Sequence, residues 1–204
     1  MTMTRPISFA VTWDYRCPFA RNAHEHLLDA MDNGAPWDVS FVPFFLDQVH
    51  VAEGAPPAWE DPARQPNLDA LAAGVVVRDR FPAQFTAVHR ALFRARHDEG
   101  GDLRDREVVS AALERGGVDP KAVLAEVDDG WPGDVVRKEH ERVVADLEVF
   151  GVPTFIVGDA AVFVRLMERP GGDGAKAQRT VERIIDLIGD HPELNEFKHT
   201  RVAR

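Results

Sequence analysis

Apolar residues alternate with smaller residues at the start of the chain and then recur at helical spacing. The segment ISFAVTW predicts a first strand over about residues 6–13. A helix is predicted to begin near Cys17 and to end at Asn33–Gly34. Its apolar face is formed by Ala23, Leu27, Leu28 and Met31. The segment WDVSFVPFFL predicts a second strand, so the first fifty or so residues form a β–α–β unit with a parallel strand pair and a right-handed crossover.

A helical block follows. Residues 49–67 are rich in Pro, Ala and acidic residues and predict a loop. Five helical segments are then predicted, at residues 68–78, behind Pro82, and at residues 105–115, 119–128 and 134–150. The segment GVPTFIVGDAAVFVRL predicts two short strands joined at Gly158–Asp159. A final amphipathic helix presents an apolar face of Ala177, Val181, Ile184, Ile185 and Ile188.

This element order is the thioredoxin topology with added helices. We therefore predict an α/β, thioredoxin-like fold with a helical insertion domain. The thioredoxin-like domain is expected at residues 1–60 and 132–204, and the inserted helical domain at residues 61–131. Open α/β sheets bind ligands outside the carboxyl ends of their strands, where strand one delivers Cys17. The inserted helices are therefore expected to cover the Cys17 end of the sheet and to leave a mostly apolar cleft.

Composition narrows the range of functions. The 204 residues carry a formal net charge of −10, which disfavours binding to nucleic acid. A single cysteine excludes an internal disulfide, the N-terminal residues lack a secretory signal pattern, and no run reaches the apolar length that spans a bilayer. The sequence predicts a soluble cytoplasmic protein without a nucleic-acid or membrane partner. It also predicts no metal site, because one cysteine cannot build a thiolate zinc site and no HxxxH pair is present.

Cys17 is the first candidate functional residue. It stands before Pro18 at a strand-to-helix junction, where unpaired backbone N–H groups and the helix dipole stabilise a thiolate. This position predicts a lowered pKa for the Cys17 thiol. Arg16 and Arg21 are expected to add positive potential, and Asp14 to oppose them. The alternative is that Cys17 is a small buried hydrophobic residue, the commoner role of a lone cysteine.

Pro153 is the second candidate, because it interrupts the run of β-formers VPTFIV. A cis Val152–Pro153 bond would place the backbone of Val152 where it can pair with an extended ligand beside Cys17. The alternative is an ordinary trans proline at the start of an edge strand. Three histidines are weaker candidates. His24 and His26 lie two residues apart on a helix and do not face one site, and His89 is predicted to be a satisfied histidine at the edge of the core.

The segments DYRCPFA, FPAQFTAVHRALFRARHDEGGDLRDREVVSAALERGGVD and FGVPTFIV together resemble the DsbA-like thioredoxin superfamily. That grouping includes disulfide oxidoreductases, FrnE-like relatives, 2-hydroxychromene-2-carboxylate isomerases and kappa-class glutathione transferases. The resemblance implies that Cys17 occupies the position of the nucleophilic cysteine, which is a serine in the isomerase and kappa-class branches. It places Pro153 at the family's cis-proline. Ala20 departs from the CxxC pattern, so the resolving thiol is missing.

The resemblance implies a thiol-dependent oxidoreductase or transferase with one nucleophilic cysteine. No tightly bound cofactor is expected; the co-substrate is a low-molecular-weight thiol, either glutathione or mycothiol. Pro18, Phe19, Val152 and Pro153 are the expected substrate- or thiol-binding residues. The expected partners are this thiol and an unidentified small-molecule or protein substrate, with a homodimer left open. Two alternatives remain: a thiol-dependent isomerase of an aromatic catabolic intermediate, and a non-catalytic binding module.

Overall fold

The computed structural model describes residues 7–196 and 198–201. A four-stranded mixed sheet has the order β2-β1-β3-β4. Its strands are β1 (Ile7–Trp13), β2 (Trp37–Pro43), β3 (Thr154–Val157) and β4 (Ala160–Phe163). β1 pairs with β2 in parallel, from Ile7 opposite Trp37 to Trp13 opposite Pro43. β3 pairs antiparallel with both β1 and β4. This is the predicted thioredoxin-like α/β topology. The proposed first residue of β1, Pro6, lies outside the described residues.

Eight α-helices accompany the sheet in the described part of the chain. They are α1 (Pro18–Asp32), α2 (Leu46–Val49), α3 (Gln65–Arg80), α4 (Phe85–His97), α5 (Arg106–Arg115), α6 (Pro120–Asp128), α7 (Trp131–Leu147) and α8 (Gly174–Asp190). Single 3₁₀ turns occur at Ala58–Glu60 and Pro82–Gln84. Helices α3 to α6 follow β2 in sequence and pack on one another. None of the described helices has both the length and the apolarity needed to cross a bilayer.

Local sequence signals explain most of these boundaries. Asp105 and Asp119 cap α5 and α6 by accepting hydrogen bonds from the backbone two residues further on. α7 begins three residues earlier than predicted and ends at Leu147 rather than Phe150. Gly130, with φ of 89°, precedes the helix, and Pro132 suits its first turn. The predicted loop over residues 49–67 contains a 3₁₀ turn and the start of α3.

One contiguous core joins the sheet to the added helices. Trp13, Phe44, Phe93 and Phe155 are among its fully buried members. α8 packs against α1 on one side of the sheet, and α3 packs against α7. Gly74 on α3 lies against Tyr15, and a Cβ at this position would overlap the tyrosine hydroxyl. The chain after β1 is therefore in close contact with the added helices.

Candidate functional site

Cys17 is the N-cap residue of α1. Its Sγ accepts a hydrogen bond from the backbone N–H of Ala20 at 3.4 Å. The same Sγ donates to the carbonyl of Val152, also at 3.4 Å. The side chain is half-buried and packs against the core. Two of the residues proposed from sequence, Cys17 and Val152, are thus in direct contact although 135 positions separate them.

The Val152–Pro153 peptide bond is cis, the geometry expected from the sequence. Both residues are buried. A small set of hydrogen bonds fixes the segment around them. Thr12 Oγ1 donates to the carbonyl of Gly151 at 3.3 Å and accepts from the N–H of Thr154 at 2.8 Å. β1 therefore holds the segment that presents the Val152 carbonyl to Cys17.

The pKa of the Cys17 thiol differs from the prediction. Burial raises this pKa above the ordinary value for cysteine, and the nearby carboxylate of Asp14 raises it further. The backbone N–H groups of Ala20 and Phe19 lower it, but burial outweighs them. The predicted lowering was therefore wrong. The N–H groups at the helix start do stabilise the thiolate, but the loss of solvation on burial destabilises it by more. In addition, the protonated thiol is stabilised by its hydrogen bond to the Val152 carbonyl.

The arginines next to Cys17 are already paired with carboxylates. Arg16 contacts Asp47 at 2.7 Å and Asp14 at 3.4 Å. Arg21 forms a two-pronged ion pair with Asp98. Their charge is therefore directed to these partners rather than to sulfur. Asp14 also accepts from the backbone N–H groups of Arg16 and Leu46, at 2.9 and 3.0 Å, so its carboxylate organises the loop before Cys17.

Pro18 and Phe19 lie at the surface side of the site. Pro18 is exposed and Phe19 is half-buried. The guanidinium of Arg165, which follows β4, lies 5.4 Å from the centre of the Phe19 ring. These two residues can therefore meet a ligand that approaches Cys17 from solvent. Arg165 was not proposed from sequence, because no pattern links the chain after β4 to the start of α1.

A cavity of about 520 Å³ begins at the loop immediately before Cys17. It lies between that loop, α3 and the segment that follows α4. Its polar lining consists of Asp14, Arg16, Asn67, Arg96, Asp102 and Arg104. The added helices do lie beside the Cys17 end of the sheet. The expectation of a mostly apolar cleft was wrong, because the segment after α4 contributes charged side chains to the lining.

The histidines form contacts that sequence reasoning missed. His89 is hydrogen-bonded, as predicted, but it is fully buried rather than at the edge of the core. Its partners are Tyr15 and His24, which lie 74 and 65 positions away. No local spacing could have paired residues on α1 and α4. His26, by contrast, bonds the Asn22 carbonyl of its own helix and takes no part in this contact.

The fold and the Cys17–Val152 contact define a thioredoxin-type protein with added helices. Residues 11–185 match the DSBA-like thioredoxin domain, and the chain belongs to this family. The uncharacterised protein Rv2286c of Mycobacterium tuberculosis is 27% identical over 165 residues, which cover 80% of this chain and 70% of that protein.

Solved structures share the fold at low sequence identity. MdbA of Actinomyces oris, a thiol-disulfide oxidoreductase, has a TM-score of 0.62 at 18% identity, with 88% of this chain and 82% of that chain covered. A 2-hydroxychromene-2-carboxylate isomerase has a TM-score of 0.60 at 14% identity, with 93% of this chain and 100% of that chain covered. DsbA of Pseudomonas aeruginosa has a TM-score of 0.53 at 21% identity, with 95% and 88% covered. The structural neighbours thus include both redox proteins and an isomerase.

Proposed function

We propose that this protein is a thiol-dependent oxidoreductase or transferase in which Cys17 is the single catalytic thiol and a low-molecular-weight thiol is the co-substrate. The observation that carries the proposal is the position of Cys17 Sγ. It lies at the start of α1, receives the Ala20 N–H, and faces the Val152 carbonyl beside Pro153. A half-buried thiol so placed is accessible to a ligand and has backbone donors for developing negative charge.

The proposed chemistry is a pair of thiol–disulfide exchanges. Cys17 Sγ, as the thiolate, attacks one sulfur of a substrate disulfide; a new S–S bond forms at Cys17 and the other sulfur leaves as a thiolate. A second, external thiolate, from glutathione or mycothiol, then attacks the Cys17 mixed disulfide and releases Cys17. One external thiol and the substrate disulfide thereby become a new disulfide and one released thiol, with no net change of oxidation state, and solvent exchanges the protons of the thiols. The external thiol is required because Ala20 stands where a resolving cysteine would stand.

The raised pKa of Cys17 gives the ligand a role in activating the thiol. In the free protein the thiol proton is directed to the Val152 carbonyl. An extended ligand whose N–H pairs with that carbonyl competes with Cys17 for it. When the carbonyl is taken, the protonated thiol loses its acceptor while the Ala20 N–H remains directed at sulfur, so binding favours the thiolate. A dipeptide-like thiol has such an N–H group.

The cavity beside the loop is the proposed site for the second substrate. A volume of about 520 Å³ is suited to a small molecule. Arg16 and Arg104 are paired with carboxylates, whereas Arg96 contacts the Gly101 carbonyl at 3.3 Å. Arg96 is therefore the arginine of this lining best able to turn to a carboxylate or phosphate group on the substrate.

The test is turnover of a mixed disulfide between glutathione and a small chromogenic thiol. The wild-type protein, Cys17→Ser and Cys17→Ala are compared, with glutathione and mycothiol supplied in separate reactions. We expect turnover in the wild type and loss of at least a hundredfold in both variants, because neither side chain forms a disulfide. Wild-type turnover equal to that of Cys17→Ala would contradict the proposal. Binding of the thiol without turnover would instead identify a non-catalytic binding module.

An isomerase is the second candidate, and the protonation of Cys17 favours it. A thiol that keeps its proton at neutral pH can donate a hydrogen bond to a bound thiolate, the same task that a serine hydroxyl performs. The similarity to the fold of a 2-hydroxychromene-2-carboxylate isomerase also supports it. Cys17→Ser separates the two candidates. Isomerase activity would survive this substitution, whereas the disulfide exchange proposed above would not.

A further inference from the structure

A chain of four polar groups runs through the interior between the loop before Cys17 and helix α4. Tyr15 Oη lies 2.8 Å from His89 Nδ1. His89 Nε2 lies 2.9 Å from His24 Nδ1, and His24 Nε2 lies 3.2 Å from the backbone carbonyl of Thr12. The three side chains are at most 1% exposed. We call this set the Tyr15–His89–His24 chain.

With both imidazoles neutral, the Tyr15–His89–His24 chain has only one complete set of hydrogen positions. The Thr12 carbonyl can only accept, so His24 Nε2 must carry a hydrogen, and in a neutral ring Nδ1 is then an acceptor. His89 Nε2 must therefore carry a hydrogen to donate to His24, and its own Nδ1 accepts from the Tyr15 hydroxyl. Every group is satisfied when both imidazoles are neutral with the hydrogen on Nε2. A further proton would reverse the hydrogen bond to Tyr15, whose hydroxyl would then accept from His89 Nδ1 and leave its own hydrogen without this acceptor.

The Tyr15–His89–His24 chain contacts the segments on both sides of the Cys17 site. Tyr15 lies in the turn closed by the hydrogen bond from the Cys17 N–H to the Asp14 carbonyl, at 3.1 Å. The carbonyl of Tyr15 also receives the Nε2–H of His97 at 2.9 Å, so α4 holds this residue at its backbone and at its hydroxyl. At the other end, Thr12 Oγ1 accepts a hydrogen bond from the backbone N–H of Thr154, the residue after Pro153.

The surroundings disfavour an added proton. The rings of Trp13, Phe41, Phe85 and Phe93 lie within 5.6 Å of the centre of the His89 ring. Burial lowers the pKa of His24 to about 4 and lowers that of His89 well below its ordinary value. The charged and titratable groups that face the chain are Arg78 and Asp14 near Tyr15, Arg90 near His89, and the half-buried His97. Asp14 is the one carboxylate among them, and it is already paired with Arg16.

We propose that His89 and His24 are positioning residues for Cys17: through Tyr15 they fix the loop that presents the thiol, in the form in which both imidazoles are neutral and carry their hydrogen on Nε2. This deepens the proposed function, since it names the residues that hold the catalytic thiol in place. Cys17 itself is not touched by either histidine. Loss of the hydrogen bonds of the Tyr15–His89–His24 chain should therefore loosen the loop and expose the thiol. It would not remove any group that contacts sulfur.

The first test reads the hydrogen positions in the wild-type protein. Long-range ¹H–¹⁵N correlation spectra of the histidine side chains are recorded at pH 7.5. We expect His24 and His89 as neutral rings with the hydrogen on Nε2. An imidazolium, or a hydrogen on Nδ1 of either ring, would overturn the proposal. This spectrum requires no substrate, so its outcome is independent of the oxidoreductase proposal.

The second test measures how fast iodoacetamide alkylates Cys17 in folded variants at fixed pH. His89→Phe keeps an aromatic ring among aromatic neighbours but removes both hydrogen bonds, and Tyr15→Phe removes only the first. We expect at least fivefold faster alkylation in both. His140→Asn is the control, because it alters a buried histidine outside the chain; we expect its rate to stay within twofold of the wild type. Wild-type alkylation rates in folded Tyr15→Phe would overturn the proposal, even if His89→Phe failed to fold.

Discussion

His140 makes the stability of this protein depend on pH. The residue lies on α7, is 4% exposed, and accepts the backbone N–H of Phe45 at its Nδ1, at 3.2 Å. Its ring packs on Phe44 with 4.2 Å between ring centres. Burial lowers the pKa of His140 from 6.5 to about 4. The folded protein therefore holds this ring neutral at a pH where the unfolded chain protonates it.

The magnitude follows from the difference between the two pKa values. Between pH 6.5 and 4 the unfolded chain binds more protons, so the free energy of unfolding falls as the pH falls. The contribution is complete above pH 6.5 and is lost progressively down to the folded-state pKa. At about 1.4 kcal/mol per pH unit the full effect is about 3 kcal/mol, of which about 2 kcal/mol is lost by pH 5.

The assay is urea unfolding at pH 7.5 and at pH 5, for the wild type and for His140→Asn. Asparagine places an oxygen near the position of Nδ1, so the acceptor for Phe45 is kept and the titrating group is removed. Other groups, including His24, titrate alike in both proteins. We expect the loss of stability between the two pH values to be about 2 kcal/mol smaller in the variant. Equal losses in the two proteins would show that the titration of His140 does not contribute to the pH dependence.

Substitutions at three further positions test the packing around the site. Gly74→Ala should destabilise the protein by about 1–3 kcal/mol, because the new Cβ overlaps the Tyr15 hydroxyl. The loss of stability should be smaller in a Tyr15→Phe background, which urea unfolding of the wild type, the two single variants and the double variant measures. Cys17→Ser should melt at or above the wild-type temperature while Cys17→Ala loses up to about 1 kcal/mol, because serine is the better N-cap. Arg78→Met should cost about 1–3 kcal/mol by urea unfolding, because it leaves Glu139 and the Phe41 carbonyl without their partner. An unchanged midpoint in Gly74→Ala or Arg78→Met, or a Cys17→Ser protein that melts below the wild type, would count against the described contact.

The sequence predicted those features that are encoded locally. Apolar periodicity located every strand and the long helices, and the order of elements was enough to identify the topology. Cys17 could be recognised because a proline follows it at a strand-to-helix junction. Pro153 could be recognised because a proline is unusual among β-formers. The family resemblance added the expectation that the start of α1 lies next to the Val152–Pro153 segment. The hydrogen bond between Cys17 and Val152 confirms this contact.

Features that depend on burial or on distant contacts could not be predicted. The pKa of Cys17 is set by a balance between donors at the helix start and lost solvation, and only the folded structure reveals how much solvation is lost. The charged cavity depends on where the segment after α4 lies. The contact between His24 and His89 joins two helices that carry no matching pattern. A sequence identifies which groups are present, but the structure decides which of them meet.

The most direct test of the central claim, that Cys17 is an accessible reacting thiol, is intact-mass spectrometry after exposure of the folded protein to oxidised glutathione or oxidised mycothiol. We expect one adduct per chain that an excess of the reduced thiol removes, and no adduct on Cys17→Ser. Because burial raises the pKa of the thiol, the adduct should form faster at pH 9 than at pH 7. An adduct that forms only after the protein is unfolded in urea would contradict this claim and show that Cys17 is a structural residue.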